Sequence, residues 1–434
     1  MRHFPLLLLL GCLGAAADAR AQGWELARDI GSKDRPPVVD GVVTVEIGKD
    51  PAVFPRYFNE LDISAIRIEF EDEGGARREV SFVWTGGSEG KDRFEATLDG
   101  TKLGMSREVD SPARPGAFYL DKLDGKLGPG KRHVLELRSP EENRSAIQFS
   151  GIRLAKPGAA KFMPLCYESV GTLAGYEEKL GAKGVRCDEA HLTVFAPATH
   201  AKGAHELAQA LEKAYGVMAE IHGEDMVFRF SIENYPEGNE RGYGGIWGAA
   251  TIGYRMEALE RFEKLKWTEV RGVIGYTEEM CHGFKDLFRC NGTYEALGVA
   301  VQEEVLRRLF SAKEADAYYK PIYDLWNTTY RDWRAAGNRN PDPEKYPWGV
   351  LYTRLLNKLF MDLRNAYGAK LWPDFFAELR RRNYPLFAAK PPERLGIYAD
   401  VFTALFKKDM RKHFTEFGIE LDKDPPWGSD TYKK

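Results

Sequence analysis

The residues best suited to chemistry sit together in Glu278-Glu279-Met280-Cys281-His282. On a helix, Glu278 and His282 lie four residues apart on one face, with Glu279 one step round. That is the geometry of H-E-x-x-H, in which two imidazoles grip zinc and the glutamate activates a water. Here Glu278 stands where the first histidine would be, so Glu278 and His282 are candidate metal ligands and Glu279 the candidate general base. The competing account is a solvated helix face that happens to carry a histidine and two acids.

Helical elements must present these groups. Thr268 is the expected N-cap, and Val270, Val273 and Ile274 begin an apolar face. The helix is expected to end near Gly283, before a loop holding Cys290, Asn291 and Gly292. A second helix is predicted from about Thr293 to Phe310, opening Tyr294-Glu295-Ala296-Leu297-Gly298-Val299-Ala300. At this point the chain resembles gluzincins, zinc peptidases whose third ligand is a glutamate on the helix after H-E-x-x-H, often within Glu-Gly-aliphatic-Ala. Two registers fit. In the preferred one Glu295-Ala296-Leu297-Gly298 matches with its small residues exchanged, and Glu295 is the third ligand. In the other, Gly298-Val299-Ala300 matches Gly-aliphatic-Ala and Leu297 takes the ligand position. The resemblance therefore implies a metal site of Glu278, His282 and Glu295, holding zinc. One imidazole with two carboxylates is a harder set, weaker for zinc and friendlier to manganese, and it would acidify a bound water less. In the Leu297 register no metal is implied.

The preceding elements suit the same family. Leu192–Ala196 reads as a strand, His205–Tyr215 as a helix stopped by Gly216, and Met226–Ile232 as a strand. Then come the glycine turn Gly242-Tyr243-Gly244-Gly245 and a strand from Ile246 to Tyr254. The resemblance makes that last strand a sheet edge that holds extended substrate by backbone bonds, with Gly244, Gly245, Ile246 and Trp247 at the cleft. Tyr318, Tyr319 and Tyr323 are candidate oxyanion donors by the same analogy. Helices are expected over Tyr346–Tyr367, Pro373–Arg382, Pro392–Lys407 and Asp409–Phe417. This layout is similar to secreted enhancin-like mucin-degrading enzymes and plant basic secretory proteins.

Upstream, Val43–Ile47, Ala65–Phe70, Val80–Trp84 and Val134–Leu137 alternate apolar and polar residues, the mark of half-buried strands. Asp124–Gly130 reads as a turn between them. With the closing stretch Ser145–Leu154 they resemble a galactose-binding-like β-sandwich, which implies a carbohydrate-binding module. The expected organisation is a signal at 1–21, a β-sandwich over 22–157 and an α+β zincin-like domain with a helical C-terminal part over 158–434.

Composition sets the outer bounds. The chain has 434 residues, with 62 Lys+Arg against 65 Asp+Glu and a net charge of −3. A near-neutral balance argues against an electrostatic nucleic-acid binder. Arg2, the apolar run Leu6–Leu10 and Ala19-Arg20-Ala21 predict an export signal, hence a secreted or periplasmic protein. Leu9-Leu10-Gly11-Cys12 offers lipoprotein anchoring through Cys12 as the alternative. No membrane span is expected. Cys166, Cys187, Cys281 and Cys290 would then permit two disulfides, with Cys166–Cys187 and Cys281–Cys290 the nearest pairs in sequence. His191, His200, His205 and His222 are expected in surface or turn roles, and Glu303 and Glu304 on the surface. The resulting expectation is an exported, monomeric, metal-dependent peptidase for secreted or glycosylated proteins. Its alternative is a non-catalytic pseudopeptidase that binds glycan or peptide.

Overall fold

The computed structural model describes residues 23–26, 38–39, 42–46, 64–86, 91–110, 119–140, 147–159, 161–165, 169–236, 250–266, 269–284, 293–342, 348–382, 391–419 and 421. The expected signal and Cys12 lie outside them. The chain divides into two compact units, Met1–Tyr176 with Val227–Arg229, and Glu177–Met226 with Phe230–Lys434.

The first unit is all-β. Its strands are β1 (Gly23–Leu26), β2 (Val38–Val39), β3 (Val42–Glu46), β4 (Ala65–Glu71), β5 (Arg77–Thr85) and β6 (Lys91–Asp92). They continue with β7 (Glu95–Leu98), β8 (Thr101–Met105), β9 (Val109–Asp110), β10 (Tyr119–Lys126), β11 (Arg132–Arg138) and β12 (Gln148–Ala155). One sheet runs β1-β12-β5-β10 and the other β2-β3-β4-β11-β7-β8. Alternate residues of each strand point one way. Ile66 and Ile68 of β4, Leu135 and Leu137 of β11, and Val80, Phe82 and Trp84 of β5 therefore join Ile152 and Leu154 of β12 in one core cluster. Two sheets sharing one apolar interior make a sandwich. Phe94 sits at its centre, edge-on to Phe82, Trp84 and Phe149 at ring distances of 5.1, 5.2 and 4.9 Å. Such pairs contribute about 1 kcal/mol each beyond burial.

The expected turn over Asp124–Gly130 is shorter than predicted, because β10 continues through Lys126. Gly125 is a strand residue there. A Cβ on it would lie 3.1 Å from Leu98 Cδ2, so glycine admits the neighbouring leucine. The segment 161–165, expected to open the second domain, packs on the first unit instead. Gly151 gives it room, since a Cβ there would stand 2.8 Å from the Pro164 ring and 3.0 Å from Phe162 Cζ.

A polar knot closes one end of the sandwich. The His133 side chain is fully buried. Its Nδ1 lies 2.8 Å from Asp99 Oδ2 and its Nε2 3.3 Å from the Asp72 carbonyl. Asp99 also accepts from the backbone N–H of Gly128 at 2.7 Å and of Val134 at 2.8 Å. Arg78 donates twice to the Asp72 carboxylate, both at 2.6 Å.

The second unit carries a four-stranded sheet of β13 (Gly184–Asp188), β14 (Leu192–Pro197), β15 (Phe230–Tyr235) and β16 (Thr251–Arg255), in that order. β13 runs antiparallel to β14, and the other two pairs are parallel. Helix α1 (Leu173–Leu180) spans the division between the units, and α2 (Ala201–His222) is the crossover between β14 and β15. The remaining helices are α3 (Met256–Leu265), α4 (Val270–Gly283), α5 (Thr293–Leu309), α6 (Ala312–Ala335), α7 (Trp348–Tyr367), α8 (Leu371–Arg382), α9 (Pro391–Phe406) and α10 (Met410–Phe417). Among them none is long and apolar enough to cross a membrane.

Helix α2 overruns its expected end at Gly216, because Met218 and Ile221 prolong its buried face. Gly223, at φ 68°, is the actual stop. β15 begins four residues later than the Met226 expected from sequence. Leu351, Leu355, Leu359 and Leu363 of α7 are all buried, as their spacing requires. At α10 the Asp409 side chain caps the helix by accepting from the Lys412 N–H.

Candidate functional site

The Glu278–His282 string lies on α4, as its periodicity predicts. The N-cap position falls on Glu269, whose side chain makes no capping hydrogen bond, and Thr268 lies outside the described residues. Three glycines let neighbours approach closely. The Tyr254 hydroxyl of β16 lies against Gly275, the Phe230 ring of β15 against Gly283, and the His282 imidazole against Gly298 of α5. On the sheet side, Tyr276 donates to Asn234 Oδ1 of β15 at 2.6 Å, and Asn234 donates to the Phe195 carbonyl of β14 at 3.0 Å. Beyond the helix end, Phe284 is held among Tyr215, His222 and Phe230 at ring distances of 5.1, 4.8 and 6.1 Å. This aromatic anchor has no sequence signature, since its members are scattered along the chain.

Glu278 and Glu279 are half-buried, and His282 is 7% exposed. A Cβ placed on Gly298 would stand 2.6 Å from His282 Nδ1 and 3.1 Å from Nε2. The imidazole therefore rests on bare α5 backbone, an approach that only glycine allows. Leu297, beside that glycine, is fully buried. Glu295 stands on the first turn of α5, one turn before Gly298 and about 60° round the helix from it. Its side chain, like Gly244, Gly245, Ile246 and Trp247, lies outside the described residues. Among the described residues no three His, Cys, Asp or Glu side chains converge as a metal group.

The three tyrosines expected as oxyanion donors lie in different surroundings on α6. Tyr319 is fully buried and donates to Gln302 Oε1 at 3.1 Å. Tyr323 donates to the Glu303 carboxylate and accepts from Arg307 at 3.1 Å. Tyr318 is half-buried, and burial and the Glu278 charge raise its hydroxyl above the usual phenol range against the pull of Arg261 and Arg271. Tyr319 shares the Glu278 field as well, and of that pair Tyr318 is the half-exposed one.

Cys281 carries a free thiol, fully buried, so the expected Cys281–Cys290 bridge does not form. Burial and then the Glu278 charge push that thiol up, which disfavours the thiolate. Cys187 lies half-buried on β13, and its expected partner Cys166 falls outside the described residues. Glu303 and Glu304 are not surface residues, being 5% and 2% exposed. Arginines satisfy them: Arg307 meets Glu303 at 2.7 Å, while Arg308 and Arg364 each meet Glu304 at 3.1 Å. His222 is also buried, with its ring 4.1 Å from that of Phe376.

No protein-family model matches the chain, and no curated protein does. Among solved structures, it is similar to a functionally unknown conserved protein from Bacillus anthracis at 11% identity and TM-score 0.42, over 81% of this chain and 69% of that one. It is similar to yeast LTA4 hydrolase at 9% identity and TM-score 0.37, over 89% of this chain and 68% of that one. A family 35 carbohydrate binding module from an environmental isolate matches at 11% identity and TM-score 0.18, over 22% of this chain and 66% of that one. Likenesses this slight carry no function across.

Proposed function

We propose that the second unit is a zincin-like scaffold, gluzincin in layout, that holds an extended segment of a secreted or glycosylated protein without cleaving it. The contact between Gly298 and His282 carries this reading. It supports the register in which Gly298-Val299-Ala300 is the Gly-aliphatic-Ala of the third-ligand motif, and in that register the ligand position falls on Leu297, which has no donor atom. A catalytic zinc needs three protein ligands and an open position. In this register the residues do not fit that metal. What α4 offers instead is a half-buried polar face of Glu278 and Glu279 beside the His282 ring and Tyr318. β16, outermost in the sheet among the described strands, offers backbone to an added strand. The galactose-binding-like reading of the sandwich would add a glycan contact, and export would place the chain with such targets.

The place of Glu295 favours a second reading. It stands on α5 one turn before Gly298, the residue on which the imidazole rests. Glu278, His282 and Glu295 would then hold zinc or manganese, which when bound would polarise a scissile carbonyl, while Glu279 held the proton.

Metal analysis and peptide capture separate the two. The purified mature chain, equilibrated with zinc and manganese, is expected to hold neither stoichiometrically. It is expected to retain peptides from a glycopeptide library, with retention lost in His282→Ala and Glu278→Ala. Stoichiometric metal together with peptide turnover that Glu279→Ala abolishes would replace the first reading with the second.

A further inference from the structure

We infer that Gln302 is a positioning residue, fixing the Glu278–His282 turn of α4 through one amide shared by three helices. Gln302 lies on α5 one turn after Gly298, on the same face, and is 2% exposed. Its Nε2 donates to the Ile274 carbonyl of α4 at 2.5 Å and to Thr277 Oγ1 at 3.3 Å. Its Oε1 accepts from the Tyr319 hydroxyl of α6 at 3.1 Å. Both amide hydrogens and the carbonyl oxygen are thus engaged. The amide has one workable orientation, because flipping it would set Oε1 against the Ile274 carbonyl, another acceptor.

The point of attachment matters. In an α-helix the Ile274 carbonyl is the acceptor for the N–H of Glu278, four residues on. The same carbonyl also takes the Thr277 hydroxyl at 3.0 Å, a back-bond of the kind that bends helices. Gln302 therefore grips α4 at the peptide group that governs the direction of Glu278. Gly298, a turn earlier on α5, receives His282. One face of α5 holds both ends of the motif, and Tyr319 ties that face to α6. The consequence for ligand binding rests on the proposed reading of the α4 face. The amide clip itself does not.

Cys281, one residue before His282, reports on this turn. It is fully buried, so its reaction with 4,4′-dithiodipyridine requires local opening of α4. The rate is read on the Cys281 peptide by mass spectrometry in the full chain. Gln302→Leu is expected to raise that rate about tenfold. Gln302→Glu distinguishes positioning from bulk packing. A neutral carboxyl can donate to Ile274 and accept from Tyr319, whereas a carboxylate cannot donate. Burial favours the neutral form, so the rate relative to wild type should be near one at about pH 5 and rise about tenfold by about pH 8. A ratio flat across that range, or wild-type labelling in Gln302→Leu, overturns the inference. Gln302→Glu keeps the test in force if Gln302→Leu does not fold. The labelling uses no ligand, so a chain that captured no peptide would sink the proposed function and leave this result standing.

Discussion

Two regions of the molecule set a histidine beside two acids, and they hold it differently. In the sandwich, His133 is sealed, with both ring nitrogens against acceptors. Asp99 is engaged by two backbone N–H groups and that ring, and Asp72 by a guanidinium. Every group in the knot closes a turn or ties strands, which is a structural use of charge. On α4, His282 rests on the Gly298 backbone while Glu278 and Glu279 stay half-buried. Residue type does not separate the two sites. Their difference is how the imidazole is held: His133 lies between two acceptors that tie strands together, whereas His282 lies against the bare backbone of a neighbouring helix.

The sharpest way to break that contrast is to remove one acid from each region. Asp99→Ala strands two backbone N–H groups and a buried imidazole. It should cost about 3 kcal/mol in urea unfolding of the sandwich. A loss no larger than that of a surface substitution would show that the knot is not structural.

The next effect belongs to the glycine under His282. Gly298→Ala places a methyl into the imidazole, where the ring or α5 must shift. Overpacking of this kind costs about 1–3 kcal/mol. The His282 ring resonances should move in an NMR comparison, while those of His133 stay fixed.

Acid should then single out the knot. Burial works to raise Asp99, but hydrogen bonds from Gly128, Val134 and His133 outweigh it and hold the carboxyl below its ordinary 3.8. Burial is likewise outweighed at Asp72, where bonds from Arg78 and the Glu73 N–H hold the carboxyl below 3.8. With folded values below unfolded ones, the stability these groups add is complete above the unfolded value. It is lost as pH falls through the folded one. Hydrogen exchange of 65–71 and 132–138 should therefore accelerate below about pH 4. Protection that persists there would contradict the assignment.

The smallest stability change is expected at the candidate site. Glu278→Gln, which keeps the length and shape of the side chain, should alter unfolding free energy by less than about 1 kcal/mol. The same substitution should weaken peptide capture. A large stability loss with capture intact would turn the α4 face into a second structural knot.

Much of the frame was legible in the chain. The alternation of Ile66, Ile68 and Phe70, and of Val80, Phe82 and Trp84, states which face of each strand is buried, because successive strand residues point to opposite sides. The leucine spacing of α7 and the stop at Gly368 are equally local. Other features were not readable because their causes lie elsewhere in the sequence. Gly216 looks like a helix stop until the tertiary environment prolongs the buried face past it. Glu303 and Glu304 look like surface acids, since nothing in the string Gln302-Glu303-Glu304 announces Tyr323, Arg364 or the helices that bring them.

At the candidate site the division is the same. The sequence alone determined that Glu278 and His282 share a helix face with Glu279 one step round, because a 3.6-residue repeat fixes that geometry wherever the helix goes. Only the tertiary structure decided that Gly298 meets the imidazole, that Leu297 is buried beside it, that Gln302 grips the Ile274 carbonyl, and that Cys281 remains a buried thiol. Those outcomes depend on α5 and α6 crossing α4 at close range. Packing between distant segments sets that distance, and no local propensity encodes it.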